Sequence, residues 1–327
     1  MDRLDNFFSL AQQWVFESVI EPAMVALRLG HLLEDGYDAA GWLLVGLIQI
    51  VVLVAVIGPL QRWRPVQAIS DKQAVRTDVL YTLIHRLGLF RVALFFTVEP
   101  LFDRLFGSLR LAGFGTFHLD QLWPRITELP IVSFAIYLVV FDFAGYWIHR
   151  AQHRANWWWS LHSLHHSQRQ LTMWSDNRNH LFDDLLRDSL LVLLAQLIGV
   201  APIQFVPLVA IAQLSESLQH ANVRLSFGPI GERLWISPRF HRFHHAIGAG
   251  HESDDAGPVM VQGHSPALGG HNFGILLPWW DILFGTANFA QHYPLTGVRD
   301  QVEQGRDYGR GFCSQQWLGL KRLAGKA

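Results

Sequence analysis

Two stretches of the chain are apolar for about the thickness of a bilayer. Ala40–Leu60 is interrupted only by Gln49 and includes Val51-Val52-Leu53-Val54, and Leu129–Ile148 carries a single acidic interruption, Asp142. Roughly twenty consecutive apolar residues cross the hydrocarbon layer as an α-helix, so both are predicted transmembrane helices. Thr77–Phe102 is comparably long but contains His85, Arg86 and Arg91. It spans only if those side chains turn to the protein interior or snorkel to the interface. Ser189–Leu214 is divided by Pro202 and Pro207, and is predicted to be either a kinked span or two half-length helices that dip into the bilayer and return. The second form keeps both flanks on one side. Before the first span, Phe7–Leu33 mixes apolar and polar residues and predicts an amphipathic or peripheral helix with a break at Glu21-Pro22. No cleavable leader is expected at the charged start Met1–Asn6.

The expected fold is therefore all-α: a polytopic membrane protein with roughly four transmembrane or re-entrant segments. The chain divides into membrane-anchor helices at 1–128, a central region at 129–290 and a C-terminal tail at 291–327. Arg62, Arg64, Lys72 and Arg76 follow the first span, whereas Asp2, Asp5, Glu34 and Asp35 precede it. Basic flanks favour the cytoplasmic side, and two further spans return the chain there at His149. Ala246–Gly270 is the one long loop rich in Gly, Ser and Pro.

Composition sharpens this picture. Half of the residues are hydrophobic and only 16% are charged, against about 25% in soluble globular proteins; mean hydropathy is +0.18. A net charge of −1 gives no electrostatic basis for nucleic-acid binding. The lone cysteine, Cys313, excludes an intrachain disulfide framework and a thiolate cage.

Histidine is the unusual residue. There are 17, and all but His31 and His85 lie between His118 and His292. Three clusters stand out: His149-Arg150-Ala151-Gln152-His153, His162-Ser163-Leu164-His165-His166 and His241-Arg242-Phe243-His244-His245. Residues three and four apart share a helix face, so each cluster can aim its rings at one centre. Eight gathered imidazoles repel if protonated and are costly to bury, which points to metal. Imidazole suits zinc, copper, iron or nickel. A single zinc takes three or four protein ligands, so this number suits two ions. Arg150 stands where the zinc-protease helix motif requires Glu, and no serine-hydrolase elbow or phosphate-binding glycine loop occurs.

From about Val140 to Thr286 the sequence resembles the fatty acid hydroxylase and sterol desaturase superfamily of membrane di-iron enzymes. The resemblance is carried by Phe141-Asp142-Phe143-Ala144-Gly145-Tyr146-Trp147-Ile148-His149-Arg150, by Trp159 to Ser167 around the second cluster, and by Ser237 to His245 around the third. Asn272-Phe273-Gly274 and Trp280 to Thr286 complete it as a closing signature. The resemblance implies a helical anchor under a cytoplasmic histidine-rich cap. It implies metal ligation by His149, His153, His162, His165, His166, His241, His244 and His245, with His180 and His220 matching further recurring histidines. Leu181 replaces the proline usual after His180, and Asp183 and Asp184 stand near the family's usual acid. His251, His264 and His271 fall in or just after the long loop and are expected to face solvent rather than metal. Asp142 is a candidate to orient a ligand imidazole or to pair with an arginine, and Asn272 to serve the metal shell or to cap a turn. Trp157-Trp158-Trp159 suits a membrane-interface belt, and Trp279-Trp280 is expected to pack the closing signature.

By the same resemblance, two iron ions with dioxygen as co-substrate hydroxylate an unactivated carbon–hydrogen bond of a membrane lipid. Zinc is a possible substitute in purified protein. With no haem- or flavin-binding segment in the sequence, a separate reductase, ferredoxin or cytochrome is the expected electron donor. Desaturation of a lipid or sterol and oxidative cleavage of an alkyl-ether lipid use the same centre and remain open alternatives. A metal-binding or metal-transporting membrane protein is the alternative of a different class; its ligands belong inside the spans, whereas these clusters follow them.

Overall fold

The computed structural model describes residues 2–91, 98–251 and 268–327. Among these residues the regular structure is helical, and Ala246 and Thr296 form an isolated bridge. The principal helices are α1 (Asp2–Val15), α2 (Gly30–Trp63), α3 (Lys72–Arg86), α4 (Glu99–Leu111), α5 (Pro130–Arg154), α6 (Asn156–His166), α7 (Leu181–Ile198), α8 (Pro202–His220), α9 (Pro238–His244) and α10 (Phe312–Leu323).

The two predicted spans lie inside α2 and α5, among the described residues the two helices long and apolar enough to cross a membrane. Only 28% and 22% of their most apolar windows are buried within the protein, so most of that surface faces outward. Leu47, Ile48, Val51 and Val54 of α2 and Ile131 of α5 are exposed. Apolar surface of this extent needs a partner other than water.

The proline expected to break the N-terminal helix does not. A π-turn, Phe16–Ile20, precedes Glu21-Pro22 and the helix continues to Ala26. The same device recurs in α2, where the π-turn Leu53–Ile57 precedes Gly58-Pro59. Proline lacks the N–H of an α-helical bond, and a widened turn absorbs the loss without ending the helix. Leu53 and Ile57 then pack with Met173, Ala221 and Val223.

Thr77–Phe102 is not one helix. α3 ends at Arg86, α4 begins at Glu99, and 92–97 lie outside the described residues. The reason is visible in α3's buried face, which is polar. Asp78 binds Arg178 at 2.5 Å and accepts from Gln168 and Ser175. Arg86 donates to Asp176 at 2.9 Å, Ser217 at 3.0 Å and Gln49 at 3.2 Å. The charges do turn inward, and they clamp the N-terminal helices onto the histidine-bearing part.

Ser189–Leu214 belongs to two helices that turn back on each other rather than to one kinked helix. α7 stops at Gly199, whose φ of 67° belongs to the left-handed region, where glycine bears no Cβ penalty. Pro202 then opens α8. The far ends of the hairpin, Asp183 and His220, return to the same place. Tyr137, Ile198 and Leu208 pack its closed end against α5. The segment 291–327, expected as a tail, folds back instead: α10 lies on α6, Arg322 Nε donates to the Ser160 carbonyl at 3.1 Å, and Gln316 Nε2 donates to Tyr81 at 2.9 Å.

Candidate metal centre

The cage is assembled where four helices end. α5 contributes His149 and His153 on one face, α6 contributes His162, His165 and His166, and α8 ends at His220. α9 contributes His241 and His244, with His245 at its C-cap. α9 has only seven residues, started by Pro238 and capped by Ser237, whose hydroxyl accepts from the Phe240 N–H at 3.2 Å. All nine imidazoles are buried. Their nitrogens fall into three groups whose atoms lie within 4.8 Å of one another: His149, His153, His162 and His166; His165, His220, His241 and His245; and His166, His244 and His245 between them. The arrangement is two adjoining nests sharing a middle.

Whether metal fits is decided by the hydrogens. His149 Nδ1 lies 2.9 Å from the Phe273 carbonyl, His244 Nδ1 2.8 Å from that of His271, and His220 Nδ1 2.8 Å from that of Glu216. His162 Nδ1 lies 2.8 Å from the Asp183 carboxylate. A neutral imidazole carries one N–H, so His149, His244 and His220 donate there and turn a bare Nε2 lone pair inward, while His162 donates to Asp183. The Nε2 atoms of His162 and His244, and both ring nitrogens of His153 and His166, are buried without a hydrogen-bond partner. His220 Nε2 stands 3.1 Å from His165 Nε2 and 3.2 Å from His241 Nε2. Ligand nitrogens about 2.1 Å from one ion stand about 3.0–3.4 Å apart. Ring nitrogens converging at this spacing, several of them without a hydrogen-bond partner, fit cations. Burial, then neighbouring imidazoles, holds His165, His166, His241, His244 and His245 well below the ordinary imidazole pKa. They are neutral, as metal ligands must be.

Asp183 is the carboxylate behind the cage. Burial raises its pKa, but the His162 ring, Gln152 and Trp158 outweigh that and hold it below the ordinary value. Gln152 Nε2 donates to it at 2.6 Å and Trp158 Nε1 at 2.7 Å. The role expected of Asp142 thus belongs to Asp183. Among the described residues Asp142 touches no imidazole and forms no pair with arginine; it accepts from the Leu276 N–H at 2.7 Å and Trp280 Nε1 at 2.8 Å, tying the closing segment to α5. Asp281 does likewise for the Phe273 and Gly274 N–H groups, each at 2.8 Å. Asn272, at φ 63°, serves as the turn rather than the shell: its amide bridges the Phe240 carbonyl at 2.9 Å and the Asn288 carbonyl at 3.0 Å.

His180 is not brought to the cage. Its Nδ1 accepts from the Phe182 N–H at 3.2 Å as the cap of α7, and its Nε2 lies 2.9 Å from the Gln316 carbonyl. His251, expected to face solvent, is 2% exposed and stacks on Trp159, which in turn meets His153 and His166. His271 is half-buried and offers the cage its carbonyl; His264 lies outside the described residues. Of the tryptophan triplet, only Trp157 is exposed, while Trp158 and Trp159 back the cage. A cavity of about 260 Å³ leads from His149, His162, His165, His220 and His241 between α5, α7 and α8.

The fatty acid hydroxylase family model matches residues 134–286. Ornithine lipid hydroxylase OlsE of Rhizobium tropici is 28% identical over 280 residues, covering 84% of this chain and 76% of that protein. Alkylglycerol monooxygenase of Caenorhabditis elegans is 26% identical over 174 residues, 51% of this chain and 30% of that protein. No solved structure matches.

Proposed function

We propose, from the match of residues 134–286 to the fatty acid hydroxylase family model, that the protein is an integral membrane oxygenase hydroxylating a lipid carbon–hydrogen bond at a histidine-held pair of iron ions. The convergence of nine buried imidazoles on two adjoining nests is the observation that carries this reading. Iron held there supplies the reduction of dioxygen. In the net reaction one oxygen atom becomes the hydroxyl and the other leaves as water, with two electrons and two protons from a separate donor: a reductase, ferredoxin or cytochrome.

The chain's own part is positioning and exclusion. Asp183 and the Phe273, His271 and Glu216 carbonyls hold His162, His149, His244 and His220 in the tautomer that offers Nε2. Tyr146, hydrogen-bonded to Thr286 at 3.1 Å, and Phe273 wall the cage from the outside. The cavity, walled by Leu138, Phe141, Leu191, Val192, Phe205 and Leu208, admits a lipid and keeps out bulk water. His180 serves to seat α7, and with it Asp183, rather than to ligate. In the membrane, α2 and α5 cross, the chain returns to the far side between Arg76 and Pro130, the α7–α8 hairpin re-enters, and the cage lies on the cytoplasmic side, where Arg62, Arg64, Lys72 and Arg76 also stand.

The deciding experiment measures metal content and product labelling together. Detergent-purified protein from iron-supplied, zinc-free culture is expected to hold about two irons per chain and, given an electron donor, to place one atom of labelled dioxygen in a lipid. Folded protein without bound metal sinks the reading. A lipid oxidised without label incorporation would move it to desaturation. His165→Ala is expected to lose metal and turnover while still inserting into membranes; full activity in that variant removes the central claim.

A further inference from the structure

The cavity is layered along the α7–α8 hairpin. Nearest the cage are His162, held by Asp183, and His220. One helical turn outward, Arg187 and Asp188 on α7 and Glu216 on α8 line the cavity; four residues of helix advance about 6 Å. Beyond them come Leu191 and Val192 on one helix and Ala212, Val209, Leu208 and Phe205 on the other. From the cage outward the order is imidazole, charge, hydrocarbon.

The charges of the middle layer are unevenly matched. Arg187 lies between Asp184 at 3.3 Å and Asp188 at 3.1 Å, and Asp184 also meets His85 at 3.3 Å. Asp176 is taken by Arg86. Arg91, the other arginine at the cavity wall, lies over the Trp42 ring at 3.4 Å. Glu216 is different. Its backbone carbonyl accepts from His220 and anchors the residue beside the cage, yet among the described residues its carboxylate has no hydrogen-bond or ion-pair partner. Arg187 acts on it only through space. A carboxylate facing a largely hydrocarbon-walled cavity is costly unless it takes up a proton or a cation completes it. A sterol or a plain acyl chain brings none.

We propose that the cavity takes its lipid polar end first, with an ammonium group of the head against Glu216 and the acyl chain in the outer apolar layer. The carbon presented to the cage then belongs to the head or to the atoms beside it, not to the far end of the chain. Glu216 is thereby the residue that selects an amine-bearing lipid. The regiochemical half of this proposal rests on the lipid-oxygenase reading; the binding half does not.

Binding is tested first, on detergent-solubilised full-length protein, with Nα-dodecanoyl-lysine and its Nε-acetyl derivative, which differ by the one positive charge. The free amine is expected to bind at least tenfold more tightly, and Glu216→Gln to erase that difference with metal content and thermal midpoint unchanged. Equal affinities in the unaltered protein overturn the proposal, and that comparison stands by itself should the variant fail to fold. A preference that survives Glu216→Gln also overturns it. Turnover under labelled dioxygen, read by tandem mass spectrometry, is expected to place oxygen on the head fragment. Label confined to distal chain carbons defeats head-first binding and leaves the oxygenase intact. No oxidation of any lipid, with the amine preference present, defeats the oxygenase and leaves the amine site.

Discussion

Asp183 shows how much a single side chain can organise. One carboxylate collects His162 from α6, Gln152 from α5 and Trp158 from the start of α6, so removing its charge loosens ligand orientation on two helices together. Asp183→Asn is expected to weaken metal retention by about 10–100-fold, the usual cost of losing a carboxylate behind a ligand imidazole; competition with a chelator of known affinity measures it. The box histidines were legible in the sequence because their spacing places them on one face of a local helix. Asp142 and Asn272 were visible as polar residues in telling places; of the two roles open to Asn272 the turn is the one found, while that of Asp142 was not legible. Asp142 answers to backbone N–H groups at Leu276 and Leu277, and Asn272 to carbonyls of Phe240 and Asn288. His180 was misread for the same reason, since its partner is a carbonyl of α10. Spacing reports what shares a helix face, not what arrives from across the molecule.

Among the helices, closeness is bought at Gly46. A Cβ there would fall 1.6 Å from the Arg86 carbonyl oxygen, so α2 and the end of α3 approach backbone to backbone. Gly46→Val is expected to destabilise the packing by about 1–3 kcal/mol, the range for overfilling a closed contact, read as a lowered thermal midpoint in detergent. If the midpoint stays put, the two helices do not meet as described. The spans in α2 and α5 were legible because hydrocarbon thickness is written directly as run length. The division of Thr77–Phe102 was not, because Asp78 and Arg86 look like interruptions of a span until Arg178 and Asp176 are seen to meet them. The π-turns before Pro22 and Pro59 escaped for a subtler reason: a proline signals a missing hydrogen bond but not whether the helix ends or widens to accommodate it.

At the scale of the molecule, the outward-facing apolar surface of α2 and α5 and the cage at the helix ends describe one design, an apolar belt on the outside and a group of imidazoles able to hold metal at the rim. Because the cage joins α5, α6, α8 and α9, bound metal stabilises the folded form through its affinity for the native arrangement alone, about 1.4 kcal/mol for each tenfold excess over the dissociation constant. Chelator is expected to lower the thermal midpoint of detergent-solubilised protein, and added metal to restore it. An unchanged midpoint would mean that the imidazoles carry no ion. The weakest member of this assembly is α9. Helices shorter than about 12–15 residues are marginal by themselves in water, and this one has seven, held by the Ser237 cap, the buried Arg239–Glu232 pair and its three histidines. A chain synthesised under metal starvation would therefore carry an unfinished turn beside its membrane helices, open to chaperones and proteases, and the cell's metal supply would set not only how fast the protein works but how long it lasts.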